Sequence, residues 1–449
     1  MERANFGSKL GIVLASAGSA VGLGNIWRFP CEAGENGGAA FILIYILCVA
    51  FLGVPVMVCE FVIGRRSQAN TGRAYSVLAP GTQWKWVGLN GVMAAFLILG
   101  YYGVVSGWTL GYMIASATSG LSGDMDYARF FYDFSGNSWQ PVACMVAFIT
   151  LTHVVVVRGV KEGIERFSKV MMPVLLLIVC VLAVCSFSMP GAAAGLDFLL
   201  RPDFGKVDAG VVVDAMGQAF FSMSVGMGCL STYASYFSRD ASLMRTAGGV
   251  AVIDTCVAVL AGIIIFPAVF SVSGIETDAG PGLVFVTLPN VFRLAFSSAP
   301  VAGQVFSLMF YVLLVLAALT SSISLHEVST AYLHERFAMS RKKAATIVTV
   351  FCILTGTVCA LSFGPLNGVR LGGLTIFDLF DFVTAKLMLP LGGMFIAIFT
   401  GWKLDRSVVR DELTGGGRLY VPFFNSFIFI LKYVAPVAIA SIFVNEILK

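Results

Sequence analysis

The chain has 449 residues, 58% hydrophobic and only 12% charged, with a mean hydropathy of +0.88. A soluble domain carries roughly 25% charged residues, so this composition excludes a water-soluble enzyme or binding module and points to a polytopic membrane protein. The net charge of +4 calls for no nucleic-acid partner, because the distribution of Lys and Arg accounts for it as an orientation signal.

Apolar runs bounded by charged or Pro/Gly-rich connections predict eleven spans, at about 9–30, 39–64, 88–118, 141–157, 166–188, 211–237, 247–273, 301–333, 344–363, 376–402 and 423–447. The longest exceed thirty residues and must tilt, kink or project into water. With the N-terminus in the cytoplasm, the loops that fall inside hold 20 Lys and Arg, Arg65, Arg66, Arg158, Lys161 and Arg341 among them, against six outside. That asymmetry predicts a multi-pass protein with a cytoplasmic N-terminus.

The first apolar run lacks a short h-region with a cleavage site, so it is expected to remain as a helix. Eight of the ten cysteines lie inside spans and Cys31 and Cys144 at span edges, which argues against a disulfide framework or a Cys/His metal centre. No Asn-x-Ser/Thr sequon occurs. A bacterial inner membrane is the expected location.

Two spans break the plain apolar pattern. The first reads SAGSAVGLGNIWRFP over 16–30, with Gly18, Gly22 and Gly24; the sixth reads FFSMSVGMGC over 220–229. Unwound backbone at membrane depth is tolerated only where it lines a protein-enclosed or watery cavity. Interruptions in spans 1 and 6, the first members of two groups of five, point to a secondary transporter built from inverted repeats. The competing explanation is close helix packing, since Gly18 and Gly22 also fit a small-xxx-small pattern.

The motifs GSAVGLGNIWRFP, ENGGAAF, SGWTLGY, AFFSMSVGMG followed by TYASY, and ALTSSIS carry a resemblance to the bacterial neurotransmitter:sodium symporter family. The resemblance covers nearly the whole chain. It implies an all-α, LeuT-type 5+5 inverted repeat with broken helices 1 and 6 and 11 transmembrane helices, without the family's common twelfth. A single transmembrane domain is expected, its first repeat at about 9–188, its inverted second repeat at about 211–402 and an additional helix at about 423–447.

The resemblance also implies two sodium sites. The first would use the Ala20 carbonyl, Asn25, Ser222 and Asp254, with the substrate carboxylate as a shared ligand. The second would use carbonyls of Gly18, Val21 and Ala317 and the hydroxyls of Thr320 and Ser321. Positions 317, 320 and 321 share one helical face, although interhelical hydrogen bonding alone would also explain their hydroxyls. Asp254 stands out independently, as a carboxylate inside an apolar run. Chloride-dependent relatives have a serine one turn later, where this chain has Ala258, and asparagine in place of Asp254. Their remaining chloride ligands match Tyr45, Gln218 and Ser222. The fixed charge of Asp254 is therefore expected to replace chloride.

Gly22 replaces the aspartate of amine-transporting relatives, which leaves room for an α-carboxylate near Tyr102 and the Leu23 and Gly24 amides. The ammonium group would meet carbonyls of Ala20, Phe221 and Ser222 and the Ser224 hydroxyl. Ile98, Phe221, Met227, Ser321 and Leu325 would line an apolar side-chain pocket, suited to hydrophobic or aromatic amino acids. Arg28 and Asp381 would form a water-bridged outer gate under which Tyr102 and Phe221 close, while Arg3 and Glu335, supported by Tyr236, would form the inner one.

Gly163 and Pro173 mark either an unwinding point or a static kink in span 5. Lys386 either faces the outer vestibule or snorkels. Glu60 and His153 are expected to be structural, satisfied by neighbouring backbone groups. The leading expectation is a sodium-coupled importer of neutral amino acids, a monomer or weak homodimer in the bilayer and not an enzyme. The alternatives are a carrier of another small zwitterion and a ligand sensor without net flux.

Overall fold

The computed structural model describes residues 5–121, 125–272 and 282–448. Nine helices among them are long and apolar enough to cross a bilayer: Ala39–Ser67, Lys85–Ala117, Gln140–Val157, Val160–Ser186, Leu243–Phe270, Pro300–Arg336, Arg341–Leu361, Ile376–Lys403 and Phe424–Leu448. Each closes its own backbone hydrogen bonds, the condition that lipid imposes. They are spans 2 to 5 and 7 to 11 of the sequence pattern, with ends displaced by a few residues.

The remaining two crossings are broken where the glycines predicted. Lys9–Ala20 and Gly24–Glu35 are bent by 58° to each other, and Ala209–Ser222 is separated from Cys229–Ala234 by non-helical residues 223–228. In span 6 the break uses left-handed backbone at Ser224, Gly226 and Gly228, with φ of +53°, +93° and +76°. A Cβ on Gly226 would lie 2.5 Å from the Leu389 carbonyl oxygen, so both conformation and space require glycine.

Amides freed by that break need acceptors, because an unpaired buried donor costs on the order of 1–3 kcal/mol. Glu60 of span 2 supplies them: its two carboxylate oxygens accept from Gly226 N at 2.8 Å and Ser231 N at 3.0 Å. The expected structural role of Glu60 is met. His153 is also satisfied, and a side chain contributes: its Nδ1 lies 2.8 Å from the Thr349 hydroxyl, which also meets His326 Nε2 at 2.9 Å.

Span 5 starts earlier than expected, because Gly159 (φ +91°) turns the chain immediately before Val160. Helix then runs through both Gly163, in a π-helical turn over Val160–Glu165, and Pro173 to Ser186. Its Glu165 holds the inner half of span 1, accepting from Gly7 N at 2.6 Å and Ser8 Oγ at 3.0 Å. Phe6 sits beside it, 5.9 Å from Tyr233 and 6.1 Å from Phe237 between ring centroids. The end of the bundle that carries the N-terminus is thereby packed shut.

Candidate functional site

A cavity of about 770 Å3 opens at the opposite end and runs down to the break in span 1. Leu23, Gly24, Tyr102 and Phe221 line its deep part; Arg28, Asp381, Lys386 and Glu446 line the approach. Leu23 N–H points to the Tyr102 hydroxyl at 3.5 Å. A Cβ on Gly22 would stand 2.7 Å from Ser321 Oγ and 3.4 Å from the Tyr102 hydroxyl oxygen, and one on Gly24 would stand 2.9 Å from the Phe221 ring. Neither position has room for a side chain unless a neighbour yields.

Beside this floor, polar side chains from four spans converge. Asp254 Oδ1 accepts from Asn25 Nδ2 at 2.7 Å, and its Oδ2 accepts from Ser222 Oγ at 2.9 Å and lies 3.3 Å from the Tyr45 hydroxyl. Asn25 in turn accepts from Gly22 N at 3.0 Å, so one side chain sets both the glycine turn and the carboxylate. Ala20 ends the inner half-helix and is buried. Gln218 donates to the Gly24 carbonyl at 3.3 Å.

The second predicted group also comes together. Ser321 Oγ donates to the Val21 carbonyl at 3.0 Å, and Thr320 Oγ1 to the Ala317 carbonyl at 3.0 Å. Gly18 faces Thr320, whose Cβ lies 3.3 Å from the place a Gly18 Cβ would occupy. Hydroxyls and carbonyls of this kind are hard donors, suited to a cation such as sodium. Ile98, Met227 and Leu325 are buried. The Ser224 hydroxyl departs from the expectation that it would face an ammonium group: it donates to the Ser19 carbonyl at 2.8 Å, fastening the two breaks together.

At the two predicted gates the structure shows partners that the sequence did not single out. The direct carboxylate partners of Arg28 are Glu32 and Glu446, each at 3.5 Å, and its guanidinium lies 4.5 Å from the Phe221 ring centroid. Asp381 lines the same cavity as Arg28, with no direct ion pair between the two. Lys386 faces the vestibule, 3.7 Å from Glu446. Glu446 is a residue the sequence reading missed, although a lone acid near the end of the last apolar run was a usable signal.

At the closed end, Arg3 lies outside the described residues. Glu335 accepts from Asn70 Nδ2 at 2.6 Å. Tyr236 donates to Glu327 at 2.8 Å. Glu327 is fully buried and paired with Arg341, whose remaining donors reach the Val156 carbonyl at 2.9 and 3.0 Å. Glu327 was not singled out from sequence and Arg341 only as part of the inside-positive pattern, since one sits in a long polar helix end and the other in a basic loop run.

The family model described as the sodium:neurotransmitter symporter family matches residues 3–128 and 131–449. The chain belongs to that family. Its helices superpose on the crystal structure of MhsT in complex with L-phenylalanine with a TM-score of 0.89 and 44% identity, covering 99% of this chain and 100% of that one. A Bacillus subtilis (strain 168) protein named "Uncharacterized sodium-dependent transporter YhdH" is 40% identical over 98% of this chain and 97% of its own length. A sodium-dependent transporter of Haemophilus influenzae is 35% identical over 99% and 98%. The fold is thus LeuT-type, and the chain is a sodium-dependent symporter of the neurotransmitter:sodium symporter family.

Proposed function

We propose that this symporter imports neutral L-amino acids with hydrophobic or aromatic side chains, coupled to sodium and independent of chloride. The observation that carries the reading is Gly22. With no side chain there, the Leu23 amide and the Tyr102 hydroxyl, 3.5 Å apart, stand together at the floor of the cavity where a substrate carboxylate would insert. MhsT, whose structure contains L-phenylalanine, supports an amino acid as the substrate class.

In this reading the Ala20 carbonyl, Asn25, Ser222 and Asp254 hold one sodium ion, and Gly18, Val21, Ala317, Thr320 and Ser321 hold another. The substrate carboxylate completes the first shell, so ion and amino acid bind together or weakly. Asp254 draws the hydroxyls of Ser222 and Tyr45 toward its own charge, which supports its standing in for chloride. Residues about 9–188 and 211–402 act as the two inverted repeats. The N-terminus lies in the cytoplasm of a bacterial inner membrane, as the excess of Lys and Arg on that side supports, and the vestibule faces outward.

The experiment is uptake of labelled phenylalanine into proteoliposomes under an inward sodium gradient, with chloride or gluconate outside. Uptake is expected to need sodium and to be unchanged by gluconate. Binding without accumulation would contradict import, and collapse in gluconate would contradict the role given to Asp254.

A further inference from the structure

The face that carries the N-terminus holds a second concavity, of about 490 Å3, away from the transport cavity. Separate chain segments bring cations into it: Lys9 from the start of span 1, Arg239 from the connection between spans 6 and 7, Arg245 from the first turn of span 7, and Arg418 from the connection before span 11. Asp240 is the acid on its wall, and it is committed to Lys9 at 3.2 Å.

Arg239, Arg245 and Arg418 have no carboxylate partner among the described residues, whereas Arg65 and Arg66 on the same face are held by Glu412 and Asp411. Like charges gathered in one concavity repel unless an anion joins them. The amino end of span 7, capped by Ser242 on the Arg245 amide at 3.4 Å, adds its positive helix end to the same place.

The surroundings are apolar on the membrane side. Leu10 and Met244, next in sequence to the concavity, are exposed, and Val252 lies exposed two turns above Arg245 on span 7. Between Arg245 and Val252, a Cβ on Gly248 would meet nothing within 4 Å, so the helix has a shallow notch there. A headgroup-sized basic concavity that leads into an apolar notch matches a glycerophospholipid better than a free anion.

We propose that this concavity binds the phosphate of an anionic phospholipid, with Arg239, Arg245, Arg418 and Lys9 around the headgroup and an acyl chain along the Gly248–Val252 notch. Arginine suits this task because its planar fork donates two hydrogen bonds to one phosphate. A bound headgroup ties the inner half of span 1 to the span 7 entry and to the connection before span 11. It thereby adds to the Glu165 clasp that keeps this end shut. The inference is independent of which amino acid is carried.

The test compares the full-length protein with the triple variant Arg239→Gln, Arg245→Gln, Arg418→Gln and with a charge-matched control, Arg336→Gln, Lys342→Gln, Lys343→Gln, on the same face. Retained lipid is counted by native mass spectrometry after exposure to mixed phosphatidylglycerol and phosphatidylcholine, and unfolding is followed in parallel. Wild type and control are expected to retain phosphatidylglycerol selectively, and the triple variant to lose about tenfold in its affinity while unfolding at an unchanged temperature without lipid. Equal retention by all three, or equal loss in the control, overturns the site. Inorganic phosphate protecting the wild type as well as phosphatidylglycerol does would overturn the lipid as its occupant.

Discussion

Asp254 of span 7 accepts a 2.7 Å hydrogen bond from Asn25 in the broken stretch of span 1. The contact joins residues 229 positions apart and brings the one carboxylate of that region against backbone that has left its helix. Because Asn25 also accepts from Gly22 N, the charge of Asp254 and the shape of the substrate floor are mechanically linked.

Asp254→Asn keeps the volume and one acceptor but removes the charge. It is expected to weaken sodium-dependent substrate binding by about tenfold or more, roughly 1.4 kcal/mol, read by scintillation proximity across a sodium series. Combined with Ala258→Ser, it is expected to make binding respond to chloride, which the wild type does not. A double variant indifferent to chloride would count against the substitution of a fixed charge for an ion.

Gly22→Ala places a methyl group 2.7 Å from Ser321 Oγ, a separation that real contacts do not reach. The Ser321 hydroxyl must turn away from the Val21 carbonyl, so loss is expected in both substrate affinity and sodium affinity. Gly22→Asp adds a charge where the substrate carboxylate would lie and is expected to abolish amino-acid binding while leaving the helices intact by circular dichroism. Retention of phenylalanine binding by Gly22→Asp would defeat the carboxylate reading.

Glu60→Gln leaves one acceptor where two amides, Gly226 N and Ser231 N, now bond. The amide NH2 of the glutamine would face an N–H, so about 1–3 kcal/mol of stability is expected to be lost. Thermal unfolding monitored by tryptophan fluorescence reads the loss. A variant as stable as the wild type would mean that the span 6 break does not depend on this carboxylate.

Glu446 is shared by Arg28 and Lys386 at 3.5 and 3.7 Å, both partly exposed contacts worth on the order of 0–1 kcal/mol each. Glu446→Gln is therefore expected to leave the unfolding temperature nearly unchanged while freeing Arg28 to turn toward Asp381. Cys31 lines the cavity and reports on its closure: its modification by a membrane-impermeant thiol reagent is expected to slow in the variant. An unchanged or faster rate would remove Glu446 from the gate.

Much of this was legible in one dimension because the bilayer makes it so. A helix crossing lipid must be a continuous apolar run, so the eleven spans and their approximate ends follow from composition alone. Gly18–Gly24 and Ser222–Gly228 announced the breaks for the same reason, since backbone polar groups at that depth need a protein-lined cavity. Asn25 and Asp254 stood out too, as polar side chains inside apolar runs, whereas Thr320 and Ser321 stand among Ser322, Ser324 and Ser329 and were picked out by the family motif.

Which acid meets which base was decided only by tertiary structure. Arg28 reaches Glu446 across 418 residues, and Tyr236 reaches Glu327. Glu327 and Glu335 lie on the same helix two turns apart, and hydropathy treats them alike. Helix rotation and depth, set by side-chain packing between spans, choose between them. The same holds for the basic concavity: Lys9, Arg239, Arg245 and Arg418 are scattered members of the inside-positive pattern in the sequence, and the fold alone makes them neighbours.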